Sequence, residues 1–176
     1  MKSKEMALGG LLTAFAIIIP LAFGGVLGIT IPPFSATLAS HVPVMLAMVV
    51  SPVVGIMVGL GSALGFLIRL GPVIAARAAT HAVWAGFGGV LYRRGMPLRT
   101  VLILMLPVHA LLEAFVVVLV ADFTLIHALY LIGIGTALHH AMDSVITLGL
   151  YHSMQSLFGR KVLSVKKAQR EGEVSP

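Results

Sequence analysis

The stretch VLILMLPVHALLEAFVVVLV, Val101–Val120, is apolar from end to end except at His109 and Glu113, which stand four residues apart near its middle. About 20 apolar residues suffice to cross the hydrocarbon core of a bilayer as a helix. An ionisable side chain at the centre of such a helix costs about 2.5–3.5 kcal/mol on insertion scales, so it faces a partner, water or a ligand rather than lipid. The same anomaly recurs along the chain, where His41, Arg77, His81, His139, His140 and Asp143 interrupt other apolar runs. These residues are the best guide to function.

The composition agrees with a membrane setting. The 176-residue chain is 59% hydrophobic and only 10% charged, with a mean hydropathy of +1.05. An ordinary soluble domain is about 25% charged. Cysteine is absent, which excludes disulfides, thiolate metal sites and cysteine nucleophiles. The net charge of +6 comes from short basic clusters outside the apolar runs, an orientation signal rather than a nucleic-acid surface. Gly59-Leu-Gly-Ser-Ala-Leu-Gly65 is no nucleotide-binding loop, because it lies in an apolar run and no lysine follows. The N-terminal apolar run is longer than a signal-peptide core and is read as a retained span.

These patterns predict an all-α bundle of six transmembrane helices over about 5–27, 38–50, 53–70, 73–92, 97–120 and 124–158. The second is short and is stopped by Ser51-Pro52; with the third it could form one broken element. The sixth is unusually long for a span, which implies tilt. Lys2, Lys4, Arg93, Arg94, Arg99 and the basic residues after Gly159 fall on one side of this arrangement. The positive-inside rule makes that side, and both termini, cytoplasmic. Residues 1–158 form the membrane domain and 159–176 a charged cytoplasmic tail.

Arg77, His81 and Trp84 share a helix face at i, i+4 and i+7. Guanidinium and imidazole suit an anionic or hydrogen-bonding group, and the indole suits a flat ring; snorkelling of Arg77 to the outer headgroups is the plainer alternative. Glu113 needs a partner, either His109 or Arg77. His139 and Asp143 share another face, with His140 turned about 100° away. Helix–helix hydrogen bonding, a solute or proton role and a metal site all fit that trio; no zinc signature is present, and no metal or cofactor is assigned. His127 and Tyr130 sit where they could close a pocket, although Tyr130 equally suits an interfacial belt. The uncharged link Gly28–Thr37 carries Pro32, Pro33, Phe34 and Ser35 directly above His41 and reads as a lid. Small residues at three-residue separation on the first helix, Gly9 with Thr13 and Gly10 with Ala14, suit close helix contact within the protein or with another membrane subunit.

Over about residues 4–158 the chain resembles the S components of energy-coupling factor (ECF) transporters, membrane subunits that capture a vitamin or its precursor. Gly10-Leu-Leu-Thr-Ala14 stands where the family carries an AxxxA-type docking motif, with Gly for the first Ala. Phe34-Ser-Ala-Thr-Leu-Ala-Ser-His-Val-Pro43, Ser51-Pro52 and Arg77-Ala-Ala-Thr-His81 resemble the niacin-type members.

The resemblance implies a non-enzymatic subunit of the prokaryotic plasma membrane that works with a transmembrane T subunit and two ATPases, and with no nucleic acid. It implies a solute site drawn from Phe34, Ser35, His41, Arg77, His81, Trp84, His109, Glu113, Tyr130 and His139, with Gly10 and Ala14 docking the T subunit. Cobalamin, pyridoxine and thiamine precursors are alternative solutes. Two other classes compete: a metal-dependent intramembrane enzyme using His109, Glu113, His139 and Asp143, and a stand-alone proton-coupled carrier.

Overall fold

A computed structural model describes residues 2–32 and 34–158; the charged segment 159–176 lies outside the described residues. Helix α1 spans Ser3–Phe23, α2 Val42–Val50, α3 Pro52–Leu70, α4 Pro72–Arg93 and α5 Leu98–Val120. A short α6, Leu125–Ala128, runs through a π-helical turn at Leu129–Gly133 into α7, Ile134–Phe158. Among the described residues, four helical stretches are long and apolar enough to cross a membrane: α1, α3, α5 and Leu125–Gln155. Helix α4 is as long as these, but Arg77 and His81 lower its apolarity. The result is a predominantly helical membrane protein.

The burial pattern is inverted relative to a soluble protein. On α5, His109 is fully buried and Glu113 is 4% exposed, while Leu111 and Phe115 are more than half exposed. Water would penalise that outward apolar face; lipid does not. Burying the ionisable residues instead gives them partners, which hydrocarbon cannot.

Glycines set the closest helix contacts. Gly55 and Gly59 let α3 press on α4, where a Cβ on Gly59 would collide with the backbone of Ala82. Gly61 and Gly65, on another face of α3, admit α1 at Thr13 and Ile17. Helices α2 and α3 are distinct elements. Ser51 between them is extended, its hydroxyl accepts the Val54 N–H at 3.2 Å, and Pro52 starts α3 where a missing N–H is harmless.

Several expectations change. The link after α1 is an antiparallel hairpin, β1 Gly28–Ile31 with β2 Phe34–Thr37, in the register Gly28↔Thr37 to Ile31↔Phe34. The β-branched run Ile29-Thr30-Ile31 favours an extended backbone, and pairing satisfies amide groups that a bare link would leave open. The last long helix is interrupted, because the π turn inserts a residue and resets which side chains face α5. Helix α1 also stops at Phe23, short of the expected boundary, where Gly24 and Gly25 follow.

Candidate functional site

Beneath the hairpin, α2, α4, α5 and α7 bring their misplaced polar residues into one buried cluster. Arg77 on α4 points inward and is 2% exposed, so it does not snorkel. Its Nη2 donates to Glu113 Oε2 at 2.6 Å, and the Thr136 hydroxyl donates to the same oxygen at 2.7 Å. The other oxygen, Oε1, faces two imidazoles: His109 Nε2 at 3.3 Å and His81 Nε2 at 3.4 Å. Both partners proposed for Glu113 are therefore present. The shared carboxylate ties three helices together.

Two further chains of contact extend from this centre. The Nδ1 atoms of His109 and His140 are 3.0 Å apart, and His140 Nε2 donates to the Leu102 carbonyl at 3.1 Å. Thus His140 turns away from His139, towards α5. Trp84 is fully buried and lies against His109, with ring centroids 4.8 Å apart at an interplanar angle of 31°.

The second chain fastens the hairpin. Asp143 on α7 accepts the Ala39 N–H at Oδ1 (2.8 Å) and the His41 N–H at Oδ2 (2.9 Å). His139 Nε2 donates to the Thr37 carbonyl at 3.0 Å and lies 3.3 Å from Asp143 Oδ2. The His41 ring reaches the same carboxylate, Nδ1 to Oδ2 being 3.1 Å. Ala39 has a left-handed backbone, φ 67°, which is unfavourable for a residue with a Cβ and is held in place here by the Asp143 bond. His139 and Asp143 thus bind the end of the hairpin rather than merely joining helices.

Between hairpin and cluster lies a cavity of about 10 Å³, lined by Ser35, Ser40, His41, Phe66, Ile74, Arg77, Ala78, His81, Glu113 and His139. This is the space of about one water molecule. Of the residues expected at a solute site, Ser35, His41, Arg77, His81, Glu113 and His139 line it. His109 and Trp84 stand behind that lining, and Phe34 packs under Arg77, whose guanidinium carbon is 5.7 Å from the ring centroid. Gly135 makes room for Phe34, since a Cβ there would sit 2.5 Å from the ring. Tyr130 is 70% exposed and His127 is also exposed; neither lines the cavity.

Sequence reasoning missed Thr136, Ser62, which contacts His81 Nδ1 at 3.1 Å, and Ser40. Hydroxyls in apolar helices give little signal, because they satisfy their own backbone as readily as a distant partner. On α1, Gly9 turns inward against Val54, whereas Gly10 and Ala14 are exposed and Gly10 has nothing within 4 Å of its Cβ position.

No family model and no solved structure matches the chain. Among curated proteins it is similar to the niacin transporter NiaX of Lactococcus lactis subsp. cremoris (strain MG1363), with 30% identity over 173 residues. The match covers 89% of this chain and 77% of that protein. The chain belongs to the family of this transporter, the niacin-type S components of ECF vitamin transporters.

Proposed function

We propose that the protein is the solute-capturing membrane subunit of an ECF importer and that its solute is niacin or a close carboxylated relative. The observation that carries this reading is the buried Arg77, set with imidazoles and a carboxylate beneath a hairpin that bridges two helices. A guanidinium offers two parallel N–H donors to a carboxylate. The surrounding imidazoles offer ring faces and hydrogen bonds to an aromatic acid. The name of the related transporter supplies the choice of niacin.

In this reading the chain crosses the membrane six times with both termini cytoplasmic, α2 and the hairpin together completing one crossing. Helix α2 has nine residues, about half what a full crossing requires. Gly10 and Ala14 form the docking face for the T subunit, which works with two ATPases; their exposure on a long apolar helix supports this. Ligand pockets are typically about 300–1,000 Å³, so the present arrangement is a closed state. Entry requires the hairpin to leave α7, which means releasing the Asp143 and His139 bonds.

The reading is tested by titrating purified protein with nicotinate, nicotinamide and benzoate by calorimetry. Nicotinate is expected to bind at least tenfold more tightly than either analogue. Equal affinity for benzoate would remove the pyridine nitrogen from recognition, and no binding of any of the three would overturn the assignment.

A further inference from the structure

The donor and acceptor pattern between His109 and Glu113 does not close with a neutral imidazole. The Leu102 carbonyl only accepts, so His140 Nε2 carries a hydrogen and His140 Nδ1 is left as an acceptor. His109 Nδ1, 3.0 Å away, must then be the donor of that pair. A neutral His109 has its lone pair at Nε2, where it faces Glu113 Oε1 at 3.3 Å, one acceptor against another. His81 Nε2, 3.4 Å from the same oxygen, is buried with no hydrogen-bond partner among the described residues. Two imidazole nitrogens and a carboxylate oxygen converge on a point that needs positive charge.

We propose that this point is a binding site for a divalent transition-metal ion, with His81 Nε2, His109 Nε2 and Glu113 Oε1 as ligands and a ring nitrogen of His41 as the fourth. The four ligand atoms lie within 4.8 Å of one another and all four residues are buried. Tetrahedral bonds of about 2.0–2.1 Å place neighbouring ligands about 3.3–3.4 Å apart. The two separations from Glu113 Oε1 are 3.3 and 3.4 Å. A direct charged hydrogen bond would be about 2.7–2.9 Å. Three imidazoles with one carboxylate suit zinc, cobalt or nickel rather than magnesium or calcium.

The surroundings suit a held ligand set. Arg77 and Thr136 occupy Oε2 and fix the carboxylate with Oε1 turned to the imidazoles. His140 fixes the His109 tautomer and Ser62 holds the far nitrogen of His81. The neighbouring trio His41, His139 and Asp143 is different. There both carboxylate oxygens already accept backbone N–H bonds, and His139 Nε2 is the donor to Thr37. It is a clasp rather than a second ion site.

Charge points the same way, an argument that rests on the anionic solute proposed above. With neutral imidazoles the cluster holds one guanidinium and two carboxylates, which repel a further anion. A divalent ion and one carboxylate solute together bring the total to zero. His41, which lies at both the ion and the clasp, can then exchange ion contact for solute contact as the hairpin moves.

The test is made without any solute, so its failure is separate from failure of the vitamin reading. Tag-free protein in detergent is stripped with chelator and titrated with Co²⁺, followed by visible absorption and by metal analysis after desalting. One Co²⁺ per chain is expected, with the intense d–d bands of four-coordinate geometry, displaced by Zn²⁺. His81→Gln should weaken binding at least tenfold, and the exposed-residue control His127→Gln should leave it unchanged. Substoichiometric Co²⁺, the weak spectrum of six-coordinate geometry, or equal affinity in His81→Gln would overturn the site. Should His81→Gln fail to fold, the stoichiometry and spectrum of the unaltered chain decide alone.

Discussion

Arg77 Nη2 and Glu113 Oε2, on α4 and α5, are 2.6 Å apart and both residues are almost wholly buried. Removing one member of such a pair strands the other charge, at about 3–5 kcal/mol. Arg77→Ala is therefore expected to lower thermal stability sharply in detergent. Arg77→Met combined with Glu113→Leu should recover most of that stability and still bind nicotinate at least a hundredfold more weakly. Recovery of stability with unchanged affinity would take the pair out of the solute site.

The clasp at Asp143 gives a second expectation. Asparagine matches aspartate in shape but offers one accepting oxygen, so its amide would confront either the Ala39 or the His41 N–H. Each buried N–H left without a partner costs about 1–3 kcal/mol. Asp143→Asn should accelerate hydrogen exchange at residues 37–42 while helices α3 and α4 keep their protection. Uniform loss of protection would mean the clasp supports the whole bundle rather than the hairpin.

Glycines on α3 and α1 should behave oppositely. A Cβ on Gly59 meets the Ala82 backbone, so Gly59→Val should destabilise the protein by at least about 1–3 kcal/mol or prevent folding. Gly10 faces open space, so Gly10→Leu should leave stability and nicotinate affinity unaltered. In the importer reading, Gly10→Leu abolishes co-purification with the T subunit. Intact assembly would place the docking face elsewhere.

Trp84 is the only tryptophan in the chain and stacks behind His109, so its fluorescence reports on the cluster. Nicotinate binding should change that emission. Its indole nitrogen has no hydrogen-bond partner among the described residues, and the ring does not line the cavity. Trp84→Phe should therefore keep nicotinate affinity within about threefold, less than 1 kcal/mol. A loss beyond tenfold would show that the indole itself meets the solute.

Replacing Gly135 with valine should push Phe34 from its seat and with it the end of β2. Nicotinate dissociation, followed by stopped-flow fluorescence, is expected to accelerate several-fold with little change in association. An unaltered dissociation rate would mean that Phe34 plays no part in closing the site.

Much of this protein is legible one residue at a time. Apolar runs of spanning length, broken by Pro52, Pro72 and Gly95, delimit the helices from α3 to α5 to within a residue or two, because bilayer thickness and backbone chemistry act locally. That Arg77, His81, His109, Glu113, His139 and Asp143 must avoid lipid is equally local, since desolvation of an ionisable group depends on no particular partner. Which of them meet is decided elsewhere. Packing of α4 on α5 brings Arg77 to Glu113, and the π turn before Thr136 sets the register in which Thr136 also reaches Glu113 and His140 reaches His109 rather than His139. The hairpin, too, is made by strand pairing and by Asp143 more than a hundred residues away. Misplaced polarity marked the residues; only packing between distant helices could set three of them, His81, His109 and Glu113, around a single point, because distances between side chains on separate helices have no local cause.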